Sequence, residues 1–246
     1  MKNQRSPWIW VPSLYYAEGL PYAMVMLVSV VMYKRLDISN TEIALYTSWL
    51  YLPWVIKPLW SPLVEILRTK RFWIVTMQLM IGGGLAGVAL TIPTSNFFQI
   101  TLAFFWLIAF SSATHDIAAD GFYMLELPSH TQSWFVGIRN TFYRFAIITG
   151  QGLLVILAGW LEISTGNTKL AWSIIMGLLA GLFIIFSFYH RLVFPHPKTD
   201  EPHSYLKLTD AVRSFFNVFK AFFKKANIIL VITFILLYRF GEAQLV

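Results

Sequence analysis

The sequence predicts an all-α integral membrane protein: a bundle of six transmembrane helices followed by a seventh. Three observations predict it. The chain is 57% hydrophobic and 17% aromatic but only 13% charged, with a mean hydropathy of +0.61, whereas a soluble domain is about one quarter charged. Seven apolar stretches are long enough to cross a bilayer. Most basic residues sit in short loops beside those stretches, as membrane topology requires, so the net charge of +7 does not indicate a nucleic-acid partner.

A span needs about 20 residues, because roughly 30 Å of hydrocarbon is crossed at about 1.5 Å per residue. Such stretches lie at 8–33, 42–66, 72–93, 97–123, 132–160, 169–190 and 226–246. The first is too long for a signal h-region and lacks a clear small-residue cleavage site, so no cleavable signal is expected. Short polar turns such as Pro93-Thr94-Ser95-Asn96 and Gly166-Asn167-Thr168 join neighbouring spans. Basic residues orient the whole. One side collects twelve (Lys2, Arg5, Arg68, Lys70, Arg71, Arg191, Lys198, Lys207, Arg213, Lys220, Lys224 and Lys225) and the other only Lys34, Arg35 and Lys169. The expectation is a cytoplasmic N-terminus.

Residues 1–190 thus read as a six-span bundle, 191–225 as a cytoplasmic linker, and 226–246 as the first helix of a second bundle. The linker opens with Pro195-His196-Pro197, a turn-rich run. It continues as a basic amphipathic helix (apolar Leu208, Val212, Phe215, Phe219 and Phe222) suited to the membrane interface. Leu14-Tyr15-Tyr16-Ala17-Glu18 has an echo in Leu237-Tyr238-Arg239-Phe240-Gly241-Glu242. Six spans, a linker and a restart fit a duplicated six-plus-six transporter. The chain therefore reads as cut off inside its second half, with a missing C-terminal half as its partner.

Eight charged residues fall within the spans: Glu18, Lys57, Asp116, Asp120, Arg139, Arg144, Arg239 and Glu242. Unpaired in lipid they would cost roughly 20–28 kcal/mol together, at about 2.5–3.5 each. A polar pathway needs such groups; a purely structural bundle does not. Asp116 and Asp120 share one helix face. Folding the fourth and fifth spans about Pro128–His130 brings Asp120 level with Arg139 and Asp116 level with Arg144. The competing reading of these pairs is a structural clamp. Glu18 stands near mid-depth between Pro12 and Pro21, which are expected to interrupt its helix, with Lys57 as a candidate partner. Desolvation penalises the charged form of a lone carboxylate, which suits it to carry protons.

His115 and Asp120 match the H-x-x-x-x-D pattern of membrane acyltransferases, an alternative in which His115 is the base. Five residues turn about 140° on a helix, so the two side chains would face apart, and His115 fits better in a polar cavity. The chain has no cysteine, and its five histidines are scattered; no metal site or cofactor is expected.

Ser61-Pro62-Leu63-Val64-Glu65, with Arg68 following, looks like the loop signature after the second helix of the major facilitator superfamily, with Ser61 for the usual Gly and Glu65 for the usual Asp. Ser111-Ser112-Ala113-Thr114-His115-Asp116-Ile117-Ala118-Ala119-Asp120-Gly121 is more specific. With Leu127-Pro128, Tyr143-Arg144, Gly19-Leu20-Pro21 and Leu59-Trp60-Ser61-Pro62, it resembles the AmpG-type muropeptide permeases and their acetyl-CoA transporter relatives. The resemblance implies a multi-pass inner-membrane importer of cell-wall sugar-peptides, a symporter driven by protons, with its cavity between spans one, two, four, five and seven. Gly121-Phe122-Tyr123-Met124-Leu125-Glu126 is bulkier and less basic than in that family, which points to another amino sugar or glycoside as substrate.

The expected activity is alternating-access permeation. Glu18 carries the proton; Lys57, His115, Asp116, Asp120, Arg139, Arg144, Arg239 and Glu242 line the pathway; Tyr15, Tyr16 and Tyr143 hold the sugar. Partners are the lipid bilayer, protons and a small-molecule substrate. A further alternative is a truncated half that inserts but moves nothing.

Overall fold

The computed structural model describes residues 5–197, 200, 213, 216, 217 and 220–243. They fall into two compact units, Met1–Pro202 and His203–Val246. Every regular element among the described residues is helical.

In the first unit, α1 (Pro7–Ala23) passes through a π-helical turn (Met24–Val28) into α2 (Ser29–Arg35), making one rod. The sequence expects Pro12 and Pro21 to interrupt this helix; instead it widens. Pro21 removes a backbone donor, and three residues on, the N–H of Met24 reaches the carbonyls of both Leu20 and Pro21 as the π turn begins. The expected second span is the one that breaks. It runs as α3 (Asn40–Thr47), a 3₁₀ turn (Ser48–Tyr51), α4 (Leu52–Ile56), a second 3₁₀ turn (Lys57–Leu59) and α5 (Ser61–Leu67). Pro53, Pro58 and Pro62 remove three donors within ten residues, too many for a single π turn to absorb.

The rest of the bundle is regular: α6 (Lys70–Thr91), α7 (Phe97–Glu126), then α8 (Ser129–Ile148) joined through a π turn (Thr149–Leu154) to α9 (Val155–Thr165), and α10 (Thr168–Val193). Local chemistry sets the ends. The Thr69 hydroxyl caps α6 at the N–H of Phe72 (3.1 Å), and Asn167 caps α10 at Leu170 (3.0 Å). Gly166, at φ +63°, ends α9 in the left-handed conformation glycine adopts without strain.

Helix α6 packs along α7 and α10, and α1 along α8 and α7. The α1–α8 seam is tight: a Cβ at Gly19 would lie 2.8 Å from the carbonyl oxygen of Tyr143. Among the described residues, five helices have the length and hydropathy to cross a membrane: Pro7–Arg35, Lys70–Thr91, Phe97–Glu126, Ser129–Thr165 and Thr168–Val193. The first is 67% buried and the fourth of these only 22%, so the Pro7–Arg35 rod is central and the Ser129–Thr165 rod peripheral. Trp134, Ile156, Trp160 and Ile163 are exposed on that outer rod.

In the second unit, α11 (Ile228–Ala243) occupies the expected seventh span. At 16 residues it is about 24 Å long, and residues 244–246 lie outside the described set. The expected amphipathic helix at 207–225 lies largely outside it too.

Candidate functional site

Three helices and the broken second span bring the intramembrane charges together. Asp120 on α7 accepts from the Tyr15 hydroxyl of α1 (3.1 Å) and pairs with Arg139 of α8 (3.0 Å). The Arg139 guanidinium lies over the rings of Tyr15 (4.6 Å) and Tyr123 (5.3 Å), a cation–π arrangement that adds to the half-buried ion pair. One turn away, Lys57 donates to Asp116. Glu18 is only 7% exposed. Its carboxyl lies against that of Asp116, with Asp120 and Arg139 in electrostatic range, and its Oε2 is buried with no hydrogen-bond partner among the described residues. Tyr143 lies within electrostatic range of both Glu18 and Asp116. Three carboxylates thus meet two cations, and one added proton makes the cluster neutral.

Two expected pairings differ. Asp116 meets Lys57, not Arg144, and Lys57 is therefore not the ion partner of Glu18. Arg139 and Arg144 are five residues apart on α8, about 140° round the helix, so with Arg139 turned inward Arg144 turns out. Lys57 reaches α7 because it stands on the 3₁₀ break of the second span. Arg144 is exposed and has no ion-pair or hydrogen-bond partner among the described residues; with Asn140, Tyr143, Ile147 and Ile148 it lines an open cleft of about 520 Å³.

His115 is fully buried and faces away from the charges. Its Nε2 lies 3.0 Å from the Gln78 amide nitrogen, while Asp120 bonds Tyr15 and Arg139. The acyltransferase dyad is therefore not assembled. Tyr16 packs edge-on against Phe186. Ser61 opens α5, Glu65 pairs with Lys70 (2.7 Å), and Arg68 lies over the Phe72 ring (5.6 Å). The side chains of Arg239 and Glu242 lie outside the described residues. No group of three metal-ligating side chains occurs among the described residues.

Some participants escape a reading of the sequence. Gln78, Ser13 and His190 join His115 in a buried polar group. A lone amide within the apolar run 72–93 was the available signal for Gln78. At the basic end of the bundle, Asp200 accepts from the backbone N–H groups of Lys70 (2.8 Å) and Arg71 (3.2 Å), capping α6 from the linker. Arg71 also bonds His196 and the carbonyl of Arg191.

An apolar helix bundle with acids and bases gathered at its centre is a multi-pass membrane protein with an ionisable interior. More particularly, the chain belongs to the BT1 family, whose sequence profile matches residues 18–240; that family is related to the major facilitator superfamily. The chain is 27% identical over 241 residues to the anhydromuropeptide permease of Escherichia coli (strain K12), covering 93% of this chain and 44% of that one. It is 24% identical over 242 residues to AmpG 4 of Rickettsia conorii, named as a transporter, covering 93% and 55%. An uncharacterized protein of Haemophilus influenzae is 28% identical over 204 residues, covering 78% and 44%. The chain spans about half the length of the curated relatives it matches.

Proposed function

We propose that this chain forms the first half, and the start of the second, of a proton-coupled secondary permease. It imports a cell-wall-derived sugar-peptide or related amino sugar across the inner membrane by alternating access. Its bundle is residues 1–190, its cytoplasmic linker 191–225, and 226–246 begins the second half; the N-terminus is cytoplasmic. Family membership and the permease relatives support the transporter class, and the name of the Escherichia coli relative supports the substrate class.

The observation that carries the coupling is the buried Glu18 carboxyl against Asp116, in a cluster of three acids and two bases. Such a cluster alternates between charged and neutral by gaining or losing one proton, and an intramembrane ionisable group of this kind marks a relay. Arg144, without an ion-pair or hydrogen-bond partner among the described residues and lining the open cleft beside Tyr143, supplies a charge-assisted donor to a substrate carboxylate.

The test is uptake of a labelled anhydromuropeptide with and without a proton gradient. Glu18→Gln is expected to abolish gradient-driven accumulation while sparing exchange of substrate across the membrane. Accumulation that stays gradient-driven in Glu18→Gln would remove Glu18 from the coupling.

A further inference from the structure

Behind the charged cluster lies a second polar group that neither the transport chemistry nor the family assigns. His115, His190 and Gln78 are fully buried and come from α7, α10 and α6. The Gln78 amide nitrogen lies 3.0 Å from His115 Nε2 and 2.9 Å from His190 Nδ1; its oxygen lies 3.0 Å from that same Nδ1. His190 Nε2 reaches the Ser13 hydroxyl of α1 at 3.0 Å. One amide thus bridges two imidazoles and, through them, four helices. Ring stacking of His190 on Phe194 (4.6 Å, 10°) seals the group on one side.

His190 Nδ1 faces both atoms of the amide and bonds the nitrogen or the oxygen according to its tautomer, whereas His115 Nε2 faces the amide nitrogen alone. Gln78 donates to His115 Nε2, which places the remaining ring proton on Nδ1. Because the His115 ring is tied on that one edge, the bond fixes the direction in which position 115 of α7 points.

On the opposite side from the contacts of Asp116 and Asp120, this bond adds a directional hold on α7. From Ala109 to Gly121 its side chains are mostly small: Ala109, Ser111, Ser112, Ala113, Thr114, Ala118, Ala119 and Gly121. Small side chains let helix backbones approach closely but offer few directional contacts of their own. In an apolar medium no hydrophobic force favours one face over the next. A directional hydrogen bond between buried groups does, which is the best-attested use of buried polarity as a register device. Asp116 is the next residue, about 100° round the helix from His115. Pinning His115 towards α6 and α10 therefore aims Asp116 at Lys57 and Glu18.

We propose that Gln78 is a positioning residue: through His115 it sets the roll of α7, and thereby the place of Asp116 in the proton-coupling cluster. The inference rests on the transport reading for its purpose, but its test does not.

The chain has no cysteine, so introduced pairs report distance without background. In this chain inserted in membranes, a Lys57→Cys/Asp116→Cys pair is bridged with a short bis-methanethiosulfonate, each cysteine thiolate forming a disulfide and displacing methanesulfinate. An Arg35→Cys/Glu162→Cys pair at the α2–α9 contact serves as the folding control. Adding Gln78→Leu is expected to slow the first bridge at least tenfold and leave the control unchanged. Gln78→Glu, whose carboxyl can bond both imidazoles, restores it. If the control is lost as well, Gln78→Leu/His115→Phe/His190→Phe takes its place, with all three polar groups exchanged for apolar ones, and is judged by the same two rates. An unchanged Lys57–Asp116 bridge in the folded variant, or failure of Gln78→Glu to restore it, overturns the proposal. Either result stands whether or not the chain moves protons.

Discussion

Lys57 and Asp116, 59 residues apart in sequence, form the ion pair that ties the interrupted second span to α7. The side chains are 35% and 15% exposed, so the pair lies between surface and interior. Exposed pairs contribute about 0–1 kcal/mol, whereas removing one member of a buried pair costs about 3–5 kcal/mol, mostly from the charge left behind. Lys57→Met is therefore expected to cost about 2 kcal/mol. Lys57→Met/Asp116→Leu, which leaves no orphan, should recover most of it. Thermal unfolding in detergent measures both, and a double variant no more stable than the single one would contradict the pairing.

Arg139 and Arg144 are expected to separate stability from recognition. Arg139 holds Asp120 and stacks on two tyrosines, so Arg139→Leu lowers the unfolding temperature. Arg144 has no such contacts, and Arg144→Leu should stay within about 0.5 kcal/mol of the parent. It should nevertheless weaken binding of an anionic substrate about tenfold or more, since a charge-assisted hydrogen bond contributes about 1.5–3 kcal/mol. Neutral substrate analogues should bind Arg144→Leu and the parent alike.

Close packing of α1 on α8 is testable at one atom. A Cβ at Gly19 meets the backbone oxygen of Tyr143 at 2.8 Å and Ala146 Cβ at 3.0 Å. Backbone cannot step aside as a side chain can, so Gly19→Ala should destabilise by about 1–3 kcal/mol. Gly159, in α9, has nothing within 4 Å of a Cβ. Gly159→Ala is expected to stabilise by about 0.5–1 kcal/mol through helix propensity. The same unfolding assay ranks the two.

The linker contact should weaken as the medium turns acidic. Partial desolvation and the cations of Arg71 and Arg5 hold the His196 imidazole below its ordinary value of 6.5. The folded state therefore binds its proton less readily than the unfolded one. Stability from this contact is complete above pH 6.5 and declines as pH falls through the folded-state value. Because His196 is exposed, salt screens the effect and keeps it small. Hydrogen exchange across 190–200 should quicken between pH 7 and 5 at low salt, and His196→Asn should flatten that response.

Much of this protein is legible one residue at a time. Hydropathy locates the spans because a bilayer tolerates only internally bonded backbone, and helices satisfy that locally. The face shared by Asp116 and Asp120, and the level match of Asp120 with Arg139, follow from helical period and hairpin length. Level is not direction, however. Asp116 and Arg144 stand at comparable depth, yet Arg144 points outward once Arg139 has taken the inward face.

The prolines divide in the same way. Their positions are plain in the sequence, but whether a helix widens or breaks depends on how the neighbouring turns can rebond. Pro21 is absorbed in a π turn beside Gly150, where a Cβ would meet Ala23 at 2.7 Å. Pro53, Pro58 and Pro62 are not absorbed, and that break delivers Lys57 to Asp116.

The sequence by itself determined the class, the helical content and the existence of a charged interior, because each depends on local composition and on the cost of polar groups in lipid. Only the tertiary structure decided who meets whom: Lys57 with Asp116, Glu18 against Asp116, Gln78 between two histidines, Asp200 over the start of α6. Those pairings depend on the roll of each helix about its axis, which a one-dimensional pattern leaves free and which packing between helices far apart in the chain settles.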